Sequence, residues 1–165
     1  MDGTKEDLLR QLGPLALSAR LKRLSDQMNA EARTLYAELD LPIEPSFYLV
    51  FLCLEAHGEL GVMALTKMLG WSHPSVIALV RRMTERDLVR ANVNPKDKRS
   101  TLVSLTKQGT LVLRKAKPIW EAARAGIAEM LDEAGPGTLA ALSALEAAHA
   151  RHGFYERTKK GLRAS

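Results

Sequence analysis

The chain has 165 residues, 46% of them hydrophobic, which suits one domain with a real core and excludes wholesale disorder. Its net charge of +5 fits a polyanion partner without requiring one, and a single cysteine, Cys53, excludes an internal disulfide and fits a reducing, cytoplasmic setting. The opening MDGTKEDLLRQ has no apolar signal core and no run approaches the ~20 apolar residues of a membrane span, so no membrane partner is expected.

Residues 7–39 read as a long amphipathic helix, or two joined near Gly13-Pro14. Leu17, Leu21, Leu24, Met28, Leu35 and Leu39 recur at helical spacing along one face. Asp40, Pro42 and Pro45 then punctuate the chain. The segment SFYLVFLCLEAH (46–57) is apolar on nearly every side, as a buried central helix must be, with Ser46 near its start as a cap. Gly58 and Gly61 close this unit.

A short helix, VMALTKML (62–69), stops at Gly70, and another starts near Ser72. In the second, Val76, Leu79, Val80 and Met83 make one buried stripe. Ser72 suits an N-cap, and Pro74 falls in the first turn, where its missing N–H costs nothing. Two helices joined by about three residues that include a glycine fit a helix-turn-helix. Strands over 88–93 and 101–106 then form a hairpin around a polar turn, and Thr106 caps the helix that follows. That helix runs over about 107–133, with Pro118 inside it. Gly135-Pro136-Gly137 breaks the chain before a last helix over about 138–153, and the basic tail from Arg157 is expected to fray.

The charge is not spread evenly. Residues 72–99 hold seven Lys or Arg against three acids, most of the chain's excess in one sixth of its length. A helix-turn-helix followed at once by a hairpin describes a winged helix, here with long helices at both ends.

Within VNPKDKRSTLVSLTKQG (93–109), Asp97, Arg99, Val103, Leu105, Thr106 and Gly109 stand in the register of the MarR-family wing motif. Upstream, LTKMLGWSHPSVIALVRRMTERDLVR resembles that family's recognition-helix region. The resemblance covers roughly residues 10–150. It implies a mainly α fold with a small β-hairpin wing, in a winged helix-turn-helix flanked by long dimerisation helices. The expected regions are 1–44 for N-terminal dimerisation, 45–107 for DNA binding, and 108–165 for C-terminal dimerisation and the basic tail. It also implies a homodimer, double-stranded DNA as partner, and a small-molecule effector. A dimer presents two recognition helices to major grooves about 34 Å apart, so a pseudo-palindromic operator is expected.

Subtracting the buried stripe from the second helix leaves Ser72, His73, Ser75, Ile77, Ala78, Arg81 and Arg82 as candidates for base edges or phosphates. Ile77 and Ala78 depart from the family's more polar pattern and suit thymine methyls or shape readout. Arg82 and Arg86 lie further along and suit phosphates. Lys96, Lys98 and Arg99 offer charge at the wing tip, where Asp97 is expected to orient Arg99 through a charged hydrogen bond. Asp87 stands where the family usually has glycine, and Asp tolerates the positive φ such a turn needs. Phe47, Tyr48, Phe51, Trp71 and Trp120 are candidates for an effector pocket, or simply core.

Cys53, in the most apolar helix, reads as inert core. Glu146, His149 and His152 do not share a helical face well, so no metal or other cofactor is expected. No phosphate-binding glycine loop or catalytic triad spacing appears, which disfavours an enzyme. The competing reading is a winged helix that binds protein and not DNA; such a module has no need of a cationic wing tip.

Overall fold

The computed structural model describes residues 7–95 and 97–164. Lys96, expected at the wing tip, therefore lies outside the described residues. The chain divides into two compact units, one ending at Ala116 and the other beginning at Lys117.

The first unit opens with α1 (Leu8–Gln11), a 3-10 turn (Gly13–Ala16) and α2 (Leu17–Glu38). Of the two N-terminal readings, the divided one holds. Gly13 takes a positive φ of 55° and Pro14 follows, and together they interrupt a continuous helix. Asp7 caps α1, accepting from the Leu9 amide at 3.1 Å. The Asp7 carboxylate also accepts the fork of Arg23 at 3.0 and 2.8 Å. That pairing holds its carboxyl below the usual carboxylate range. The leucine row of α2 is present but wet. Tyr36 alone is buried, while Leu17, Leu21, Leu24, Leu35 and Leu39 stay between 39% and 50% exposed.

Past Asp40, which adopts a φ of 51°, the chain builds a compact lobe. It comprises α3 (Phe47–His57), β1 (Leu60–Gly61), α4 (Val62–Leu69), α5 (His73–Glu85), β2 (Val89–Asn94), β3 (Asp97–Leu105) and the first turns of α6 (Lys107–Ala134). Phe47, Val50, Phe51 and Leu54 from α3 meet burial partners Leu65, Val76, Leu79, Met83, Leu88 and Val103 in one core. Fully burying side chains of this size contributes roughly 1.5–3 kcal/mol each. Ser46 occupies the N-cap of α3, but its side chain makes no capping bond. Cys53 is half-buried, and burial raises its thiol pKa, which disfavours the reactive thiolate.

The sheet is antiparallel, in the order β1-β3-β2. Its third strand was not expected: Leu60 and Gly61 pair with Val103 and Leu102. A two-residue strand beside glycines has no alternation to betray it. The returning strand β3 is also longer than expected, starting at Asp97 with β2 shifted by one residue, so that Asn94 faces Asp97 across the tip.

In the second unit, α6 continues to Ala134, with Pro118 inside it, and α7 (Thr138–Arg151) follows. The tail is not frayed as expected, since Phe154–Ala164 forms a further helix, α8. Arg157 ties its start to the end of α7, donating to the carbonyls of His152 at 2.8 Å and Ala148 at 3.1 Å. Among the described residues no helix is long and apolar enough to cross a membrane.

Candidate nucleic-acid interface

The candidate recognition helix is α5. Ser72 sits at its N-cap in extended backbone, and its hydroxyl accepts from the Ser75 amide at 3.3 Å. Pro74 occupies the first turn as expected, and the preceding helix α4 ends on Gly70 at a φ of 65°. Val76, Leu79, Val80 and Met83 form the buried stripe. The opposite face carries exposed His73, Ser75, Ile77 and Arg81, with Ala78 half-buried. Ile77 is 48% exposed, a large apolar group held out to solvent in the middle of a polar face. Ser72 and Ser75 also pair through their hydroxyls at 2.7 Å, and the His73 Nδ1 lies 3.4 Å from the Thr66 hydroxyl. Ser72→Ala is expected to lower the melting free energy by about 1 kcal/mol, the usual worth of a hydroxyl cap, in chemical denaturation.

Arg82 and Arg86, expected to reach phosphates, point elsewhere. Both guanidinium groups fold back on Glu44: Arg82 Nε lies 2.9 Å from one carboxylate oxygen and Arg86 Nη2 2.7 Å from the other. Arg86 also stacks over the Phe47 ring at 5.2 Å. The reason is local geometry. Residues four apart share a helix face, and that face of α5 looks at the segment leaving α2. Arg81, on the outer face, makes only a loose contact with Glu85 at 3.5 Å.

The turn from α5 into β2 keeps its left-handed residue: Asp87 has a φ of 54°. Thr106 locks this turn to α6. Its hydroxyl donates to the Asp87 carbonyl and lies 3.3 Å from that of Leu88, and it accepts from the Gly109 amide at 2.8 Å. The Thr106 amide donates to the Leu88 carbonyl at 3.2 Å. Gly109 completes the junction, because a Cβ there would fall 1.9 Å from the Leu88 carbonyl oxygen. The Thr-x-x-Gly end of the wing motif is thus a cap combined with a close backbone approach.

On the wing, Asp97, Lys98 and Arg99 are exposed. The bond from Asp97 to Arg99 differs from the expected one. The carboxylate accepts from the Arg99 backbone amide at 3.0 Å, not from its guanidinium, and the Ser100 hydroxyl donates to the Asp97 carbonyl at 3.0 Å. Asp97 therefore shapes the backbone at the tip. Arg90, counted in the cationic cluster but assigned no role, donates across the hairpin to the Ser104 hydroxyl at 2.8 Å.

The aromatic candidates differ in burial. Phe47 and Phe51 are fully buried in the lobe core, as the core reading of these rings has it, with the lobe's own side chains filled around them on the inner face of α3. Tyr48 and Trp71 are 39% and 38% exposed, and Trp120 lies in the second unit, half-buried. Among the described residues, no group of three or more His, Cys, Asp or Glu is placed to hold a metal ion.

Comparison with known proteins supports the same lobe. Residues 64–109 match the model of a winged helix DNA-binding domain. Curated protein sequences give no match. Among solved structures, the chain is similar to S. aureus MepR in complex with DNA, at 21% identity and a TM-score of 0.68, covering 80% of this chain and 97% of that one. It is similar to a MarR/EmrR family transcriptional regulator from Acinetobacter sp. ADP1, at 19% identity and a TM-score of 0.63, covering 81% and 94%. It is also similar to PcaV, a transcriptional regulator from Streptomyces coelicolor solved with its natural ligand, at 22% identity and a TM-score of 0.59, covering 86% and 94%. Residues 64–109 thus match a winged helix DNA-binding domain, and the chain shares the fold of solved MarR-type transcriptional regulators.

Proposed function

We propose that this protein is a MarR-type regulator, a homodimer that binds a pseudo-palindromic operator and represses transcription until a small molecule releases it. The observation that carries the reading is the pairing of an unoccupied outer face on α5 with a cationic wing on one lobe. His73, Ser75, Ile77, Ala78 and Arg81 enter the major groove, and Lys98 and Arg99 hold the flanking backbone. Lys96 belongs to the same wing on sequence grounds. Ser72 acts mainly as the cap that aims α5. The similar DNA-bound and ligand-bound regulators support DNA and an effector as partners.

Residues 1–44 and 108–165 supply the dimer interface, and 45–107 the DNA-binding lobe. Support comes from the apolar surfaces left open: the leucine row of α2, Ile127 and Met130 on α6, and Leu139, Leu142 and Leu145 on α7 are all exposed. Large apolar side chains left exposed in such number are characteristic of association sites.

Duplexes selected from a random library should converge on an inverted repeat and bind with a steep loss of affinity as salt rises, several units in log–log slope. A library that yields no preferred duplex, with binding flat in salt, would leave the lobe as a protein-interaction module. Ile77→Ala should lower affinity for the selected duplex by about five-fold and leave scrambled DNA unaffected, as loss of an apolar base contact does.

A further inference from the structure

The segment joining α2 to α3, Leu41-Pro42-Ile43-Glu44-Pro45, is built to hold one carboxylate still. Leu41, Ile43 and Pro45 are buried, the two prolines fix their own φ, and the Ile43 and Leu41 amides are tied down at 2.8 and 2.9 Å. Glu44 alone in this segment turns a charged group toward α5. Its two oxygens divide between Arg82 and Arg86, at 2.9 and 2.7 Å, with its side chain 29% exposed and theirs 37% and 38%. Each arginine has further fixing contacts. Arg82 Nη1 donates to the Ala78 carbonyl at 3.4 Å, Arg86 Nη1 to the Arg82 carbonyl at 3.2 Å, and Arg86 stacks on Phe47. Arg82 on α5 and the C-cap residue Arg86 are thereby committed to one acid, 38 residues upstream of Arg82.

We propose that Glu44 is a positioning residue for DNA readout: through Arg82 and Arg86 it fixes how α5 sits on the lobe, and the two arginines serve that placement and not phosphate contact. This rests on the DNA-binding reading above. Specificity depends on the placement of Ile77, Ala78 and Arg81 to within a fraction of an ångström, and these residues lie within five positions of the clamp. Affinity for the phosphate chain, by contrast, comes from cations elsewhere on the lobe and is indifferent to the clamp.

The test compares Glu44→Gln, the pair Arg82→Ala with Arg86→Ala, and the triple variant against the wild-type full-length chain. Each is read on selected and scrambled duplexes across a salt series. Glu44→Gln is expected to reduce discrimination between the two duplexes about five-fold while the salt slope stays within half a unit of wild type. The triple variant should be no worse than the arginine pair, because all three act as one unit. Glu44→Asp should restore part of the discrimination. If Glu44→Gln instead tightens binding to both duplexes and steepens the slope by about two, Glu44 only masks phosphate ligands and the proposal fails. It fails equally if the arginine pair lowers the slope by about two. Should wild type bind no duplex, the DNA-binding reading falls, and the clamp is still decided by thermal unfolding: additive losses for position 44 and positions 82 and 86 would show no coupling and overturn it.

Discussion

Gly109→Ala is expected to destabilise the DNA-binding lobe by about 3 kcal/mol and to abolish specific duplex binding at ordinary protein concentrations. The added methyl would sit 1.9 Å from the Leu88 carbonyl oxygen and 2.8 Å from its carbon, and neither can rotate away because both are backbone. Relief requires moving the turn at Asp87 and Leu88 away from α6. That movement breaks the contacts Thr106 makes with both carbonyls and misplaces the start of β2, hence the wing. Denaturant unfolding followed by far-UV circular dichroism measures the first effect, and titration of a labelled duplex the second. A loss below about 1 kcal/mol would mean that the junction is pliant and that the glycine is there for another reason.

The second large effect lies at the wing tip, where Arg99→Ala is expected to weaken binding to selected and scrambled duplexes alike. The loss should be about ten-fold, with a salt slope smaller by about one. Asp97 gives the sharper comparison. Because its carboxylate accepts from the Arg99 amide, Asp97→Ala should release the tip and cost about five-fold in affinity, although it deletes a negative charge beside DNA. Asp97→Asn keeps an acceptor oxygen and should bind at least as well as wild type. An asparagine variant as weak as the alanine one would show that charge on Asp97, acting on the arginine head, matters more than backbone shape. Tighter binding by Asp97→Ala would make simple charge counting the better account.

Much of this site was readable from residue order because its determinants are local. Gly70, Ser72 and Pro74 announce the end of one helix and the start of the next, and the stripe Val76, Leu79, Val80 and Met83 tells which face is left exposed. Asp87 was readable as a left-handed turn because so few side chains tolerate that conformation. Other features were hidden for physical reasons. The Glu44 clamp spans 38 residues, and no periodicity reports which acid a distant arginine meets. The pairing of Asp97 with an amide instead of a guanidinium depends on tip geometry that spacing alone does not give. The helix α8 was masked by its own composition: the run of cations suggested a solvated tail, while Phe154, Thr158 and Leu162 at four-residue intervals support a helical face.

The sheet order has one more consequence. Among the described residues β1 pairs with Leu102 and Val103, so the part of β3 from Asp97 to Thr101 has β2 as its one strand partner there. A two-stranded ribbon is marginal in water, so on the proposed DNA-binding reading the duplex must also hold this ribbon still. On that reading, part of the attraction between the wing cations and phosphate is offset by the cost of stilling the ribbon. Calorimetry of binding registers this as a favourable enthalpy opposed by entropy, and a stiffer tip would grip DNA more tightly with no new contact.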